Sequence, residues 1–543
     1  MRLSRLRAGL VLGSVLGGAA LTACGLGAAP GDFSPPGSEA EQRPDTPGNS
    51  LQFHFGDADV VETYPADAGG DFVVHYTRNG PNAVPAADVD NSGVPDFVEQ
   101  VADIYAQVIT HYRDVLGFRP PVSDQDIADN GGDGRFDVYL VDFNGVGDGN
   151  YQNDQCTQQN PEICAGYMIE ENDFAGYGYP STSVANRILA SHEFFHAVQA
   201  AYDNGQGSIL VEGTAVWATE SFDPSLNDFE LFVAGYLQNP DRSLDQPMPG
   251  PVDPFSYGSA IFFQFLEERY GQGTVRSLWE RCVNGANGVP DPKWFEVLDP
   301  MLQAVAGVSF ADAFVEFATY NLFTGLLADP ARSYANGSAY PTVKLNTVAT
   351  PYVDPKLRVF YSSTQYYSLD PAGRPAMTAA LVVPAGGEAD LEGMAMLFAV
   401  RDDSGYGAVT RVADPTAASE AADTSAATRF VVGVVNTLQA GDSRRPGLCI
   451  GSPDEVESCR SSLLGGGGAG GGGGAGAGGS TPSPPSAAPT DDQGGGCSCR
   501  LGSAGVLAAG RAAGSRDAEL PASGWALAAG LGAIALRRAR KRR

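Results

Sequence analysis

The alternation of apolar and polar residues separates a mixed helix-and-strand region from a strand-rich region further along the chain. Apolar residues at helical spacing predict five helices, at residues 96–116, 184–202, 208–220, 257–270 and 310–323. Runs of β-branched and aromatic residues predict three strands before the second helix, at residues 71–77, 136–143 and 166–169. Four more strands, separated by Gly, Pro and Asp, are predicted at residues 357–361, 378–383, 394–400 and 429–435. This pattern predicts an α+β fold followed by a small β-sandwich.

Changes in amino-acid composition along the chain indicate where the predicted segments begin and end. Residues 51–345 carry the helices and the first strands, and residues 346–462 carry the later strands, so we expect one folded domain in each. The other predicted segments are a signal peptide (1–24), a flexible tether (25–50), a Gly/Ala/Ser/Pro linker (463–496) and a C-terminal sorting signal (497–543).

Both termini carry features of export signals. An apolar run that follows three arginines ends in Leu-Thr-Ala-Cys24, which resembles a bacterial lipobox and implies lipidation of Cys24; an ordinary export signal is the alternative. Near the other end, Cys497 and Cys499 precede a short apolar stretch and a basic terminus, an order that resembles the sorting tail of myxobacterial surface proteins. That stretch is shorter than the roughly 20 residues that span a bilayer, so we expect a processed signal. The expected location is secreted, or anchored at the outer membrane or cell surface.

The spacing of the cysteines agrees with export. Cys156 and Cys164 are close in sequence, as are Cys449 and Cys459. We predict two local disulfides, formed in an oxidising compartment. Cys282 has no such neighbour and is predicted to be a buried free thiol.

The chain is strongly acidic, with 34 Lys and Arg against 64 Asp and Glu and a formal net charge of −30. Such a surface repels phosphate backbones, which argues against nucleic acid as a partner. Clustered carboxylates are good ligands for divalent cations. Most of these acids, however, need no role beyond keeping the surface solvated.

The strongest chemical signal is the motif HExxH at residues 192–196, inside a predicted helix. His192 and His196 are four residues apart, so they lie on one helical face and can bind one Zn²⁺. Glu193 lies about 100° further round the helix, where it can take a proton from a water that zinc acidifies. The alternative is a pair of core histidines on an apolar helix. Two features favour the metal-binding interpretation: the glutamate between the histidines and a second motif downstream, described next.

A third ligand is expected downstream of this motif. The extension found in metzincins is missing, because Gln199 stands in place of its glycine and Tyr202 in place of its third histidine. Residues 212–215 instead read Glu-Gly-Thr-Ala, which resembles the third-ligand helix of gluzincins. The resemblance implies Glu212 as the third zinc ligand, with water in the fourth position. Glu220, eight residues further on, is the rival carboxylate.

Together these motifs resemble those of a group of myxobacterial metalloproteases. The resemblance rests on HEFFHAVQ at 192–199, EGTAxW at 212–217 and the cysteine-containing tail, and it extends over most of residues 70–330. It implies a zincin-like, more narrowly gluzincin-like, peptidase domain at residues 51–345. Tyr257 is similar to a tyrosine that donates a hydrogen bond to the oxyanion in several gluzincins. A packed aromatic residue is the alternative for Tyr257.

Residues 88–99 fit the spacing of a twelve-residue calcium loop of the EF-hand type. Gly93 stands at position 6, where such a loop turns sharply, and a helix is predicted to follow at once. The predicted calcium ligands are Asp88, Asp90, Ser92, the carbonyl group of Val94, Asp96 and Glu99. No helix is predicted before the loop, so the alternative is an acidic turn that caps the following helix.

From these residues we expect a secreted or surface-anchored zinc endopeptidase that acts on proteins or peptides. Glu193 is expected to serve as general base and then as general acid, and Tyr257 to steady the oxyanion. The expected cofactors are Zn²⁺ and Ca²⁺, and the expected state is a monomer. The competing class is a non-catalytic, calcium-stabilised surface adhesin with a vestigial HExxH.

Overall fold

The computed structural model describes residues 42–65, 70–157, 159–249, 253–418 and 420–465 of the 543-residue chain. Within these ranges the fold is mixed α+β, as predicted, and contains three β-sheets. Cys24, most of the predicted tether, nearly all of the predicted linker and the predicted sorting tail lie outside the described residues.

The first sheet has five strands in the order β1-β2-β3-β5-β4. They are β1 (Val61–Tyr64), β2 (Phe72–Thr77), β3 (Phe136–Val141), β4 (Gly149–Cys156) and β5 (Cys164–Glu171). Strands β2, β3 and β5 are parallel, and the two edge strands, β1 and β4, are antiparallel to their neighbours. The predicted strands are confirmed in β2, β3 and β5. Strand β4 was missed, because its run of Asn, Gln and Asp lacks a clear apolar alternation.

Helices pack on one face of the first sheet and extend away from it. They are α1 (Asp96–Thr110), α2 (Thr182–Ala200), α3 (Ser208–Phe222), α4 (Phe229–Phe232), α5 (Ala234–Leu237), α6 (Pro254–Gly258), α7 (Ala260–Tyr270), α8 (Thr274–Cys282), α9 (Trp294–Ala306) and α10 (Phe310–Asn321). A π-helical turn, His111–Val115, continues α1. The predicted helices are confirmed in α1, α2, α3 and α10, while α6 and α7 divide the helix predicted at 257–270. No single helix in the described part of the chain has the length and apolar character of a membrane span; α9 and α10 reach it only together, across an 86° bend.

Two further sheets follow residue 345. The second sheet contains β6 (Asn346–Val348), β8 (Ser363–Leu369), β10 (Met394–Asp402), β11 (Gly405–Arg411) and β13 (Arg429–Asn436). The third contains β7 (Tyr352–Asp354), β9 (Ala376–Val382), β12 (Ala422–Asp423) and β14 (Gly447–Gly451), and α11 (Pro453–Gly465) follows it. Side chains of both sheets, such as Phe398 and Leu448, share one buried cluster, so the sheets pack face to face.

Three of the four strands predicted beyond residue 347 are confirmed, in β9, β10 and β13. The prediction of a strand at 357–361 was wrong, because this segment makes only an isolated bridge between Val359 and Arg444. It is bounded by Pro355 and by Ser362, whose φ of +45° ends the extended backbone. Helix α11 was not predicted.

The second sheet joins the helical region as well as the third sheet. Its residues Leu397 and Val431 belong to the same buried cluster as Phe314 of α10. The hydroxyl of Tyr366 in β8 also donates a hydrogen bond of 2.7 Å to the carbonyl oxygen of Ala318 in α10. Because alternate residues of a strand point to opposite faces, the second sheet packs on both sides.

Residues 42–56 cover the face of the first sheet that lies opposite the helices. Phe55 packs there against Tyr139 of β3. The side chain of Arg43 is fully buried, and its guanidinium pairs with three carboxylates; we call this group the Arg43 cluster, and it comprises Arg43, Asp124, Asp137 and Asp154. The described end of the predicted tether is therefore packed into the fold.

Both predicted disulfides are confirmed. Cys156–Cys164 joins β4 to β5, and Cys449–Cys459 joins β14 to α11. Cys282 is a buried free thiol, as predicted.

Candidate metal centre

Helix α2 carries the HExxH motif and is buried on almost every side. It begins after Ser181, whose side-chain oxygen accepts a hydrogen bond from the backbone N–H of Val184 at 3.2 Å. The helix contacts β4 and β5 of the first sheet, and also α1 and α3. Strand β4 approaches it closely at Gly149, where a Cβ atom would lie 2.7 Å from Cδ2 of Leu189. The motif helix and the edge strand are therefore held close together.

The side chains of His192, His196 and Glu212 converge at a buried point between α2 and α3. One ligand atom from each lies within 4.8 Å of the other two. Glu212 Oε2 is 3.3 Å from His192 Nε2 and 3.9 Å from His196 Nε2. Two ligands of a tetrahedral Zn²⁺, each bonded at 2.0–2.1 Å, are about 3.4 Å apart. The distances from Glu212 to the two histidines are therefore close to those between ligands of such a site.

His196 has the features of a neutral metal ligand. Its Nδ1 lies 2.8 Å from Oε1 of Gln199, and its Nε2 is buried without a hydrogen-bond partner among the described residues. Burial lowers the pKa of its imidazole, although the nearby Glu212 opposes this effect. The ring is consequently neutral at pH 7. A neutral imidazole with one buried, unused nitrogen fits Zn²⁺.

Glu193 follows His192 in α2 and is fully buried. Its Oε2 accepts a hydrogen bond of 3.0 Å from the backbone N–H of Tyr151 in β4. This bond holds the carboxylate between the motif helix and the edge strand. The side chain can therefore take up and release a proton at a fixed position.

Of the two carboxylates considered for the third ligand, the structure brings Glu212 to the histidines. Glu220 does not belong to the group; its Oε1 accepts a hydrogen bond of 3.3 Å from Nδ2 of Asn336. Burial raises the pKa of Glu220 to about 7.

Tyr257 lies against the histidine side of the centre. Its ring stacks on that of His192, with centroids 5.8 Å apart and planes inclined by 7°. It also stacks on Phe232 of α4, with centroids 5.1 Å apart. Tyr257 is thus a packed aromatic residue that also lies beside a predicted ligand.

Packing explains the glycine and the threonine in the Glu-Gly-Thr-Ala segment of α3. A Cβ atom at Gly213 would lie 2.3 Å from Oγ of Ser259 and 2.6 Å from Cε2 of Phe263, so α3 and α7 approach too closely for a larger residue. The next residue, Thr214, accepts a hydrogen bond of 3.2 Å from Nε1 of Trp279. These contacts fix the turn of α3 that presents Glu212.

The predicted calcium loop brings together part of its predicted ligand set. The carboxylates that lie within 4.8 Å of one another are those of Asp88, Asp90 and Asp96. Glu99 is not in this group, and the Ser92 hydroxyl donates a hydrogen bond of 3.2 Å to the carbonyl oxygen of Val94. Gly93 has a φ of +91°, as the sharp turn requires. These contacts also describe an acidic turn, so both interpretations of the loop stand.

A third group of possible metal ligands, made up of three acids, was not predicted. Glu162, Asp203 and Asp291 come from three separate loops, and one oxygen of each lies within 4.8 Å of the other two. No motif spacing could have revealed them, because the loops are far apart in sequence. Lys293 Nζ lies 3.0 Å from Asp291 Oδ2, and the Asn284 side chain donates to Glu162. The chain itself therefore supplies this group with a cation and a donor.

Compared with the models of known protein families and with curated proteins, the chain matches none of them. Its function is therefore inferred from its own residues and their geometry.

Proposed function

We propose that this chain is a zinc-dependent endopeptidase of the gluzincin type, similar to the myxobacterial metalloproteases that its motifs resemble. In this proposal residues 51–345 form a zincin-like catalytic region and residues 346–462 a β-sandwich region. The observation that carries the proposal is the buried convergence of His192, His196 and Glu212, with the buried Glu193 directly following His192 in the same helix. A His₂Glu set with a neighbouring acid is the donor set of catalytic zinc.

The roles of the residues follow from their positions. Zn²⁺ held by the three ligands would polarise a peptide carbonyl and acidify water. Glu193 takes the proton from the attacking water and gives it to the departing amine, while the N–H of Tyr151 keeps its carboxylate in place. Tyr257, stacked on His192, donates a hydrogen bond from its hydroxyl to the oxyanion.

The first experiment measures zinc content and casein hydrolysis in the wild type, Glu193→Gln and His196→Ala. Glu193→Gln should keep its zinc and lose activity by about 10²–10⁴-fold, since only the proton transfer is removed. His196→Ala should lose both zinc and activity. A wild-type chain that takes up no zinc and cleaves no casein would contradict the proposal and favour the non-catalytic adhesin.

A second experiment tests the third ligand with a matched control from the same helix. Glu212→Gln and Glu220→Gln remove the charge of two buried acids of α3. We expect Glu212→Gln to weaken zinc binding and abolish hydrolysis, and Glu220→Gln to retain both. The reverse result would make Glu220 the ligand.

We propose Ca²⁺ as the second cofactor, bound by the loop at residues 88–99. Calcium should then raise the melting temperature of the wild type but not that of Asp88→Asn, which removes one charge from the group. Equal shifts in the two proteins would favour the acidic turn.

We also propose that the chain is exported and anchored through lipidated Cys24 or through the sorting tail. Cells that express it should incorporate labelled palmitate into the wild type and not into Cys24→Ser. Equal labelling of the two proteins would argue against the lipid anchor.

A further inference from the structure

We infer that Gln199 is a positioning residue of the metal centre. It fixes which nitrogen of His196 carries a proton, and it joins that histidine to the helix that carries Glu212. The inference deepens the proposed function and rests on the zinc site proposed above. In the sequence, Gln199 stands in place of a metzincin glycine and ends the HEFFHAVQ motif, and neither observation gives it a role.

The partners of the Gln199 amide determine its orientation. Its Nε2 lies 2.8 Å from the carbonyl oxygen of Val211 and 3.0 Å from Oγ1 of Thr214. A carbonyl oxygen only accepts hydrogen bonds, so the group that faces Val211 must be the NH₂ group. The Thr214 hydroxyl gives its own proton to the carbonyl oxygen of Leu210, at 2.7 Å, and therefore accepts from Gln199. The amide oxygen must then face His196.

This orientation of the amide decides which ring nitrogen of His196 carries the proton. The amide oxygen can only accept, so Nδ1 of His196, 2.8 Å away, must carry the proton. In a neutral imidazole the other nitrogen, Nε2, then keeps its lone pair. Nε2 is the atom that lies 3.9 Å from Glu212 Oε2 and has no hydrogen-bond partner in the described part of the chain. Gln199 therefore points the lone pair of His196 into the centre.

The same side chain connects the two helices of the centre. Val211 directly precedes Glu212 in α3, and Thr214 follows it by two residues, so Gln199 holds the turn that presents the carboxylate. Gln199 is itself buried, at 3% exposure, and its hydrogen bonds are shielded from water. One residue thus fixes a histidine of α2 and the approach of α3.

The test is the zinc affinity of the full chain carrying Gln199→Leu, measured by competition with a chelator. Leucine has a similar size but can neither accept from His196 nor donate to α3. We expect the zinc Kd to rise about 10–100-fold, the usual effect of losing an outer partner of a metal-bound histidine. With Co²⁺ as the probe, the visible absorption spectrum should change as well, because the ligand geometry changes.

Gln206→Leu is the matched control. Gln206 is also a buried bridging amide: its Nε2 donates to the carbonyl oxygen of Pro292 at 2.9 Å, and its Oε1 accepts from the N–H of Trp294 at 2.9 Å. Its loss should lower the melting temperature of the zinc-free protein and leave the zinc Kd unchanged. A structural effect of losing a buried glutamine is thereby separated from an effect on the metal.

Gln199→Glu separates the two roles of the residue. Its carboxylate still accepts from His196 Nδ1 but cannot donate to Val211, so its zinc Kd should lie closer to the wild type than that of Gln199→Leu. If Gln199→Leu binds zinc as tightly as the wild type, the positioning role is wrong and the proposed zinc site survives. If the wild type binds no zinc, the proposed function fails, and the inference fails with it.

Discussion

Each face of the first sheet has a buried polar cluster beside it, and the two clusters neutralise charge in different ways. On the face covered by residues 42–56, the guanidinium of Arg43 contacts three carboxylates, so the cation belongs to the chain. On the helical side, two imidazoles and one carboxylate converge instead. The first arrangement closes on itself and joins a segment to the sheet, whereas the second offers the ligand types that Zn²⁺ prefers.

Glu170 of β5 adds a third way to neutralise a buried acid. It lies on the helical side of the sheet and is 0% exposed, and Tyr105 of α1 donates a hydrogen bond of 3.0 Å to its Oε2. Burial raises the pKa of Glu170 to about 8, against the effect of the Tyr105 hydrogen bond. The acid is therefore protonated at pH 7. With a guanidinium at one site, the proposed metal at the second and a proton at the third, the three buried sites should respond differently to mutation, chelation and pH.

The largest expected effect is that of Arg43→Ala. It leaves Asp124, Asp137 and Asp154 buried without their guanidinium, which should reduce the free energy of unfolding by about 3–5 kcal/mol. Urea denaturation measures the change. The control is Arg411→Ala, which removes a pair with Asp312 in which both side chains are about half exposed and should cost under about 1 kcal/mol. Equal losses in the two variants would show that the Arg43 cluster does not stabilise the packing of residues 42–56 on the sheet.

Removal of zinc should have the next largest effect. At free zinc about 1,000 times the Kd, the bound metal would add about 4 kcal/mol to the free energy of unfolding. In excess calcium, a zinc-selective chelator should therefore lower the melting temperature of the wild type and leave that of His196→Ala unchanged. A chelator that lowers both equally would place the stabilising metal elsewhere.

Glu170→Gln should change how stability depends on pH. The folded-state pKa of Glu170 is about 8, against an ordinary value of 4.5, so the folded chain holds a proton that the unfolded chain releases above pH 4.5. The wild type should lose stability from this group as the pH rises from 4.5 to 8, by an amount on the order of a few kcal/mol. Glu170→Gln should lack this loss, so its stability relative to the wild type should be higher at pH 8.5 than at pH 5. Thermal melts of both proteins at several pH values measure this difference. Parallel pH profiles would contradict the raised pKa.

Gly213→Ala should have the smallest effect of the four. Its Cβ would collide with Ser259 and Phe263, and such overpacking costs about 1–3 kcal/mol. The control is Gly207→Ala, because a Cβ there has no atom within 4 Å. Chemical denaturation compares the two variants, and equal stability would mean that α3 can move away without loss.

The sequence predicted those parts of the molecule in which the interacting residues are close in the chain. Helices α2 and α3 have clear apolar patterns, and each disulfide joins cysteines at most 10 residues apart. The three predicted zinc ligands lie within one helical hairpin, so motif spacing was enough to select them, and the structure brings them together.

Long-range contacts could not be predicted in this way. Arg43 and Asp154 are 111 residues apart, and Arg43 lies in a stretch whose Pro, Gly and acidic residues indicate a tether. Strand β4 was hidden because it is an edge strand with polar side chains. The role of Gln199 depends on the direction of an amide group, which no residue pattern contains.

The burial of Arg43 also limits where an N-terminal propeptide of the proposed peptidase could be cut. A cut just after Arg43 would release the guanidinium from three carboxylates and free the segment that covers the sheet with Phe55. Strand β1, at Val61–Tyr64, is likewise a member of the sheet. A propeptide whose removal leaves these contacts intact must therefore end before residue 43.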